Sequence, residues 1–305
     1  MITFGLLTAI LEEWNYKEMI DTVSEIGYEC VEVACWPKGK GERRYAGTSH
    51  IDTENLDKAA ADEILSYASA HNVKISSLAY YPNTLDPDLE KRKGNIAHLH
   101  SLIDASALLG VGMVSTFIGR DQSKTVGENL KTVKEVWPEI LDHAKEKGVK
   151  IAIENCPMLF GPDEWPGGKN LFYSPDIWRE VFDVLPYDNL GINFDPSHFV
   201  WQQLDYIKAL YDFKEKMFHI HFKDIKLKKD KLGEAGVLAY PLSYMTPKLP
   251  GLGDVDWGAF ISALTDIGYN GYAVAEIEDK AYEGSREDII RSLKQTYGYL
   301  RNFLV

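Results

Sequence analysis

The sequence predicts a (β/α)8 barrel. Three observations predict it. Eight short apolar runs recur along the chain, each tied to a segment of helical periodicity. Glycine or asparagine stands at five of the helix-to-strand junctions, where a left-handed residue closes the last helical turn. The length of 305 residues accommodates eight such units and little else.

The elements follow in order. Residues 2–7 form the first strand-like run. An amphipathic segment at 19–26 stops at Gly27 and leads into the run 30–35. The segment 64–70 stops near Asn72 before the run 73–78. A long helical pattern at 89–109 stops at Gly110 before 113–117, and another at 130–147 stops at Gly148 before 149–154. Segments 177–185 and 204–213 precede the runs 190–195 and 217–222. The segment 260–267 stops at Gly268 before the last run, 271–277. Continuous apolar runs joined by helices read as parallel strands buried on both faces. An open doubly wound sheet is the alternative, but no G-x-G-x-x-G opens the first helix. No linker divides the chain, so residues 1–305 are expected to form one barrel domain with insertions after strands two, five and seven.

Composition narrows the function. The chain is 45% hydrophobic and 26% charged, with 46 acidic against 33 basic residues and a net charge of −13. That field repels phosphate backbones and argues against a nucleic-acid partner. The lysine-rich stretch 223–231 is interrupted by aspartates and reads as a solvated loop. Three cysteines without paired spacing, Cys30, Cys35 and Cys156, suggest a reducing compartment, the first two as core residues. No apolar segment approaches the roughly 20 residues needed to span a bilayer, and no signal peptide is evident. The expected location is the cytoplasm.

In a barrel of this kind the active site lies at the C-terminal ends of the strands. Strand six ends in Asp195-Pro196-Ser197-His198, where proline forbids a further ladder bond and leaves the carboxylate at the mouth. Strand five ends in Glu154, strand seven carries His219 and His221, and strand eight ends in Glu276. Trp36, Arg43, Arg44 and His50 follow strand two, Tyr80, Tyr81 and Asn83 strand three, and Arg120 and Asp121 strand four. Three crowded carboxylates repel one another, and burying each alone is costly. A divalent cation resolves both problems. Carboxylate oxygens with one imidazole suit Mn²⁺, Mg²⁺, Co²⁺ or Zn²⁺. Ion pairing with nearby Lys and Arg, or capping of the next helix, is the alternative for each carboxylate taken singly.

Ile-Ala-Ile-Glu154-Asn, Asp195-x-x-His198, His219-x-His221-x-Lys-Asp and Glu276 at the last strand resemble the xylose isomerase-like TIM-barrel superfamily. The superfamily includes sugar-phosphate isomerases and epimerases, ketose 3-epimerases, inosose dehydratases and endonuclease IV. The resemblance runs over essentially the whole chain. It implies Glu154, Asp195, His221 and Glu276 as ligands of one divalent metal, Mn²⁺ before the other three. It also implies His198 beside the metal and in contact with substrate; Glu154 and Glu276, where they face each other across the bound sugar, are expected to act as acid and base. His219 lies deeper on the same strand face and reads as structural.

The expected chemistry is isomerisation or epimerisation of a sugar or keto-sugar through a metal-stabilised enediolate. A lyase acting on a keto-inositol or an oxidised glycoside is the alternative, since the same intermediate can expel a β-hydroxyl. An endonuclease IV-like hydrolase would need more ligating histidines and a basic face. A non-catalytic sugar-binding barrel would not require two opposed glutamates.

Ketose 3-epimerases of the group carry a further acid after the strand-five Glu and an Arg beyond the strand-seven His. Here Cys156-Pro157-Met158-Leu159-Phe160 and Lys223 with Lys226 stand instead, which speaks against simple epimerisation of free ketohexoses. Lys223, Trp36 and Tyr81 join His198 as expected substrate contacts. Trp165, Tyr240 and Tyr244 offer further stacking faces, and Lys223 and Lys248 are candidates for a phosphate. Glu32 is expected to face the barrel interior, either orienting a catalytic group or satisfying a buried Arg or His. Asp256 is expected to cap the helix before the last strand. The substrate is a small carbohydrate, with no membrane partner, and the chain is compatible with a homo-oligomer.

Overall fold

In the computed structural model, residues 1–37, 45–159 and 167–304 are described. Arg43, Arg44 and Trp165 lie outside them. Eight parallel strands close into a barrel: β1 (Thr3–Leu7), β2 (Cys30–Ala34), β3 (Lys74–Ala79), β4 (Met113–Thr116), β5 (Lys150–Glu154), β6 (Leu190–Phe194), β7 (Met217–Phe222) and β10 (Tyr272–Ala275). Neighbours in sequence are neighbours in the barrel, and β10 closes it between β7 and β1. All eight runs read from the sequence are strands.

The outer helices are α1 (Tyr16–Ile26), α2 (Lys58–Ala70), α3 (Leu89–Leu108), α4 (Val126–Glu146), α5 (Pro175–Val184), α7 (Tyr206–Asp212), α9 (Trp257–Asp266) and α10 (Arg286–Leu300). A short helix α6 (Ser197–Gln202) starts directly after β6 and carries His198. Local chemistry sets the ends. Asn15 and Glu18 form a capping box on α1, and Gly27 closes it at φ 109°, its N–H bonding back to Val23. The Asp256 carboxylate accepts from Ala259 N–H at the start of α9, as expected. Among the described residues, no helix is long and apolar enough to cross a membrane.

Two features differ from the sequence reading. The strand-seven insertion is not a simple loop: β8 (Asp224–Leu227) and β9 (Met245–Lys248) pair antiparallel, with α8 (Lys229–Ala235) between them. The stretch 223–231 is therefore not a solvated loop. Lys223 is only 5% exposed and Asp224 is fully buried, because each is neutralised by partners distant in sequence. Asp224 accepts from the backbone N–H groups of Ile225, Gly251, Gly253 and Val255 and from Trp257 Nε1, all within 3.2 Å. It thereby pins the 249–257 loop to the root of β8.

The barrel interior is polar at mid-height. A register shift between β2 and β3 pairs Val31 with Ile75 and Glu32 with Ser77. Ser76 Oγ meets His219 Nε2 at 3.1 Å, while Asn193 Oδ1 meets His219 Nδ1 at 3.1 Å. His219 is fully buried, and burial pushes its pKa down to about 4. It lies below the rim, as the sequence reading placed it.

Candidate metal centre and active site

Glu154 closes β5, Asp195 follows β6, His221 sits near the end of β7, and Glu276 follows β10. Each side chain stands where an apolar strand meets the rim. One ligand atom from each of the four lies within 4.8 Å of the others. His221 Nδ1 is 2.9 Å from Glu276 Oε2 and 4.0 Å from Glu154 Oε1.

The donor set fits a divalent cation. Three carboxylates and one imidazole nitrogen converge, and Asp195 Oδ2 is buried and receives no well-aligned hydrogen bond, although His198 Nε2 lies 3.1 Å away. The other Asp195 oxygen accepts from Ser197 N–H at 2.8 Å. Asp195 thus holds the Ser197 N–H at the start of α6 with one oxygen and presents the other to the site, although the N-cap position itself is Pro196.

Beneath the rim, Glu32 is fully buried and faces the interior. Its Oε2 lies 2.9 Å from His221 Nε2 and 3.3 Å from His219 Nδ1, and Tyr81 donates its hydroxyl proton to Oε1. Asn193 Nδ2 stands 3.1 Å from the Tyr81 hydroxyl and 2.9 Å from His221 Nε2. Against burial, Glu32 on Nε2 and Glu276 on Nδ1 raise the His221 pKa, and with Nε2–H held by Glu32, Nδ1 is the nitrogen that would ligate a cation in the cluster. Such a carboxylate behind a ligating histidine fixes its tautomer and raises its basicity. Both alternatives open for Glu32 therefore hold together: it satisfies buried histidines, and one of them belongs to the cluster. Asn193 was missed. Its signal was a polar residue inside an apolar run, two before Asp195.

The electrostatics separate the two glutamates. Burial, then the charge of Glu276, raises the Glu154 carboxyl above its usual range. For Glu276 burial acts in the same direction but is outweighed by Lys223 and His221, which hold it well below the usual range. Lys223 Nζ sits 2.9 Å from Glu276 and 2.7 Å from Glu278. These carboxylates overcome its burial and keep it cationic. Pairs pushed apart in this way are assigned as acid and base in many active sites. His198 is buried, not solvated. Trp201 Nε1–H donates to its Nδ1 at 3.5 Å, which leaves Nε2 as the proton-bearing nitrogen, 3.6 Å from Glu154 Oε1. Glu154, Cys156 and His198 also lie close enough together to share an ion, and against burial Cys156 and Asp195 raise the His198 pKa.

A cavity of about 470 Å³ opens above the cluster. Glu154, Glu276, His198, Lys223, Trp36 and Tyr81 all line it. Tyr81 spends its hydroxyl on Glu32, so its ring faces the cavity while its oxygen serves the layer below. Tyr240 reaches the cavity. Tyr244 does not: it is 1% exposed and packs inside the strap, so the expected stacking role is corrected. Lys248 pairs with Asp279 at 3.3 Å and lies off the cavity. His50, Asn83 and Asp121 are structural. His50 bridges Thr8 and Leu11, Asn83 brackets Arg120 through its main chain, and Asp121 binds Ser123 and Lys124.

Residues 20–300 match the family model described as xylose isomerase-like TIM barrel. A Bacillus velezensis protein named inosose isomerase is 24% identical over 299 residues, covering 94% of this chain and 92% of that protein. A Clostridium perfringens inosose dehydratase is 26% identical over 170 residues, covering 55% and 54%. The solved structure of an IOLI protein with a bound zinc atom superposes with a TM-score of 0.73 at 21% identity, covering 99% of both chains.

Proposed function

The chain belongs to the xylose isomerase-like TIM-barrel family, and on that premise we propose that it is a divalent-metal-dependent isomerase or epimerase of a sugar or keto-sugar, with Glu154 and Glu276 as acid and base. The observation that carries this reading is the convergence of Glu154, Asp195, His221 Nδ1 and Glu276, two of which, Glu154 and Glu276, line the cavity. These four would hold the cation. Their three oxygens and single nitrogen favour Mn²⁺, with Mg²⁺, Co²⁺ and Zn²⁺ as substitutes. Zinc is the ion of the IOLI structure. When bound, the cation supplies Lewis acidity that polarises a carbonyl and its adjacent hydroxyl.

The remaining work falls to the chain. Lys223 fixes the Glu276 carboxylate and keeps it ionised, as a base must be. Glu154, whose pKa burial and Glu276 raise, is the partner that would return a proton to the carbon. Return to the opposite face gives an epimer, and return to the adjacent carbon gives the isomer. His198 Nε2–H donates to a substrate hydroxyl, and Trp36 and the Tyr81 ring pack on the sugar's C–H face. This reading takes residues 1–305 as one domain acting in the cytoplasm on a small carbohydrate, without a nucleic-acid or membrane partner.

The test is hydrogen exchange from D₂O into candidate keto-sugars, inososes included, by the Mn²⁺-loaded protein. Glu154→Gln and Glu276→Gln are expected to abolish it. Full turnover in both variants would refute the acid–base assignment. Stripped and reloaded protein is expected to hold about one equivalent of metal, lost in His221→Ala. The inosose dehydratase relative favours a lyase as the second reading. A product lighter by one water would select it over an isomer of equal mass.

A further inference from the structure

The cavity is divided by chemistry. Among the described residues its floor is polar: Glu154, His198, Lys223 and Glu276 stand at the barrel end. Its outer wall is different. The loop after β5 supplies Met158 and Leu159, and the β8–β9 strap supplies Ile225, Pro241, Leu242 and Met245. These side chains offer no hydrogen-bond donor, and the strap adds the hydroxyls of Tyr240 and Thr246 to a mostly apolar surface. Over the apolar part of this wall a polyol would lose water from its hydroxyls for few new partners, whereas an apolar group gains by leaving water. The volume of about 470 Å³ lies in the range of roughly 300–1,000 Å³ that holds drug-sized ligands, larger than a free monosaccharide.

The wall is held in place. Asp224 ties the root of β8 to Gly251, Gly253, Val255 and Trp257, and Lys226 pairs with Asp254 at 2.6 Å. A pre-set apolar surface of this kind costs little to use. An anionic tail would meet Lys280, exposed at the cavity edge, whereas Lys223 already faces Glu276 and Glu278, and Glu278 itself lines the cavity.

We infer that the substrate carries an apolar group beyond its sugar ring, so that the chain acts on keto-sugars in glycosidic linkage to an aromatic or alkyl aglycone. The ring would sit on the polar floor and the aglycone against the strap. This rests on the proposed reaction for the ring and on the wall alone for the aglycone.

The experiment separates the two. Dissociation constants are measured by calorimetry on the Mn²⁺-loaded full chain for methyl and phenyl β-D-glucopyranoside. D₂O exchange is followed with the corresponding 3-keto glycosides. The phenyl form is expected to bind at least 10-fold more tightly than the methyl form and to show a similarly higher kcat/KM. Leu242→Ser and Met245→Ser are expected to bring the phenyl-to-methyl ratio towards one. Leu238→Ser, on the same strap but 80% exposed and off the cavity, leaves the ratio unchanged. A ratio near one in the wild type, or one untouched by both wall variants, overturns the inference. Exchange at equal rates for both keto glycosides overturns it while the proposed reaction stands. A phenyl preference that the wall variants abolish, with no exchange in either compound, supports the apolar site and refutes the reaction.

Discussion

Glu32→Gln tests how far the metal centre depends on the layer beneath it. The substitution keeps the volume and leaves an amide oxygen able to accept from His221 Nε2–H. The Tyr81 contact persists too, with the hydroxyl able to accept from the amide nitrogen. What is lost is one buried negative charge, 2.9 Å from His221 and 3.3 Å from His219. Among the described residues no Lys or Arg pairs with Glu32, and its depressed pKa, held down against burial, comes from His221, then His219. The charge therefore acts mainly on the histidine whose Nδ1 faces the cluster. Loss of such a supporting carboxylate weakens metal binding by about 10- to 100-fold, which is about 1.4–2.7 kcal/mol. The assay is competition for Mn²⁺ against a calibrated chelator, with thermal unfolding of the metal-free protein as control. The expected outcome is weaker metal binding, with the metal-free Tm moved little and the metal-induced rise in Tm reduced. An affinity within twofold of wild type would refute the view that Glu32 sets the basicity of His221.

Three further outcomes are expected. His50 donates Nε2–H to Leu11 O and accepts at Nδ1 from Thr8 Oγ1, which itself accepts from Ala34 N–H, so only the neutral ring fits. Burial lowers its pKa from 6.5 to about 4, so its contribution is complete above pH 6.5 and lost as pH falls towards 4. That amounts to about 3 kcal/mol, and His50→Asn should flatten the acid limb of a Tm–pH profile. Asp224→Ala strands five donors and should cost more than about 3 kcal/mol. Differential scanning calorimetry should show the drop, and an unchanged Tm would deny the strap its anchor. Gly253→Ala should destabilise similarly, because its Cβ would lie 2.0 Å from Asp224 Oδ1.

The sequence disclosed the parts of this molecule that repeat or terminate. Glycines 27, 110, 148 and 268 all adopt positive φ, as the helix-to-strand punctuation required, and the strands between them closed in the expected order. Glu154, Asp195, His221 and Glu276 were visible because each interrupts an apolar run at its end, where a barrel places its rim. Other features are set by partners far away in sequence. Lys223 looked solvated because its neighbours are lysines and aspartates, yet Glu276 and Glu278, more than 50 residues on, neutralise it in the cavity. Asp224 looked like one more surface charge until four main-chain donors and one indole from 225–257 closed around it. Asn193 was hidden by the opposite effect, a polar residue within a run read as uniformly apolar.

The same logic explains why the sequence pointed to a reaction more readily than to a substrate. Reaction chemistry is carried by strand ends, whose period and termination are local properties. The substrate wall is carried by the strap, where Pro241, Leu242 and Met245 follow no period and acquire meaning only when β8 and β9 pair across the insertion. Their pairing depends on Asp224, which adjoins Lys223, which in turn fixes Glu276. Three positions within four residues, His221, Lys223 and Asp224, therefore tie the metal cluster, the base and the substrate wall to the end of one strand. A change in the strap that loosens Asp224 should be felt at Glu276 through Lys223. In Asp224→Asn, where the amide oxygen keeps the donors of one carboxylate oxygen and the amide nitrogen faces those of the other, the expected result is a lower kcat for exchange with metal stoichiometry preserved. An unaltered kcat beside a lowered Tm would show that the strap supports the fold and the wall without reaching the base.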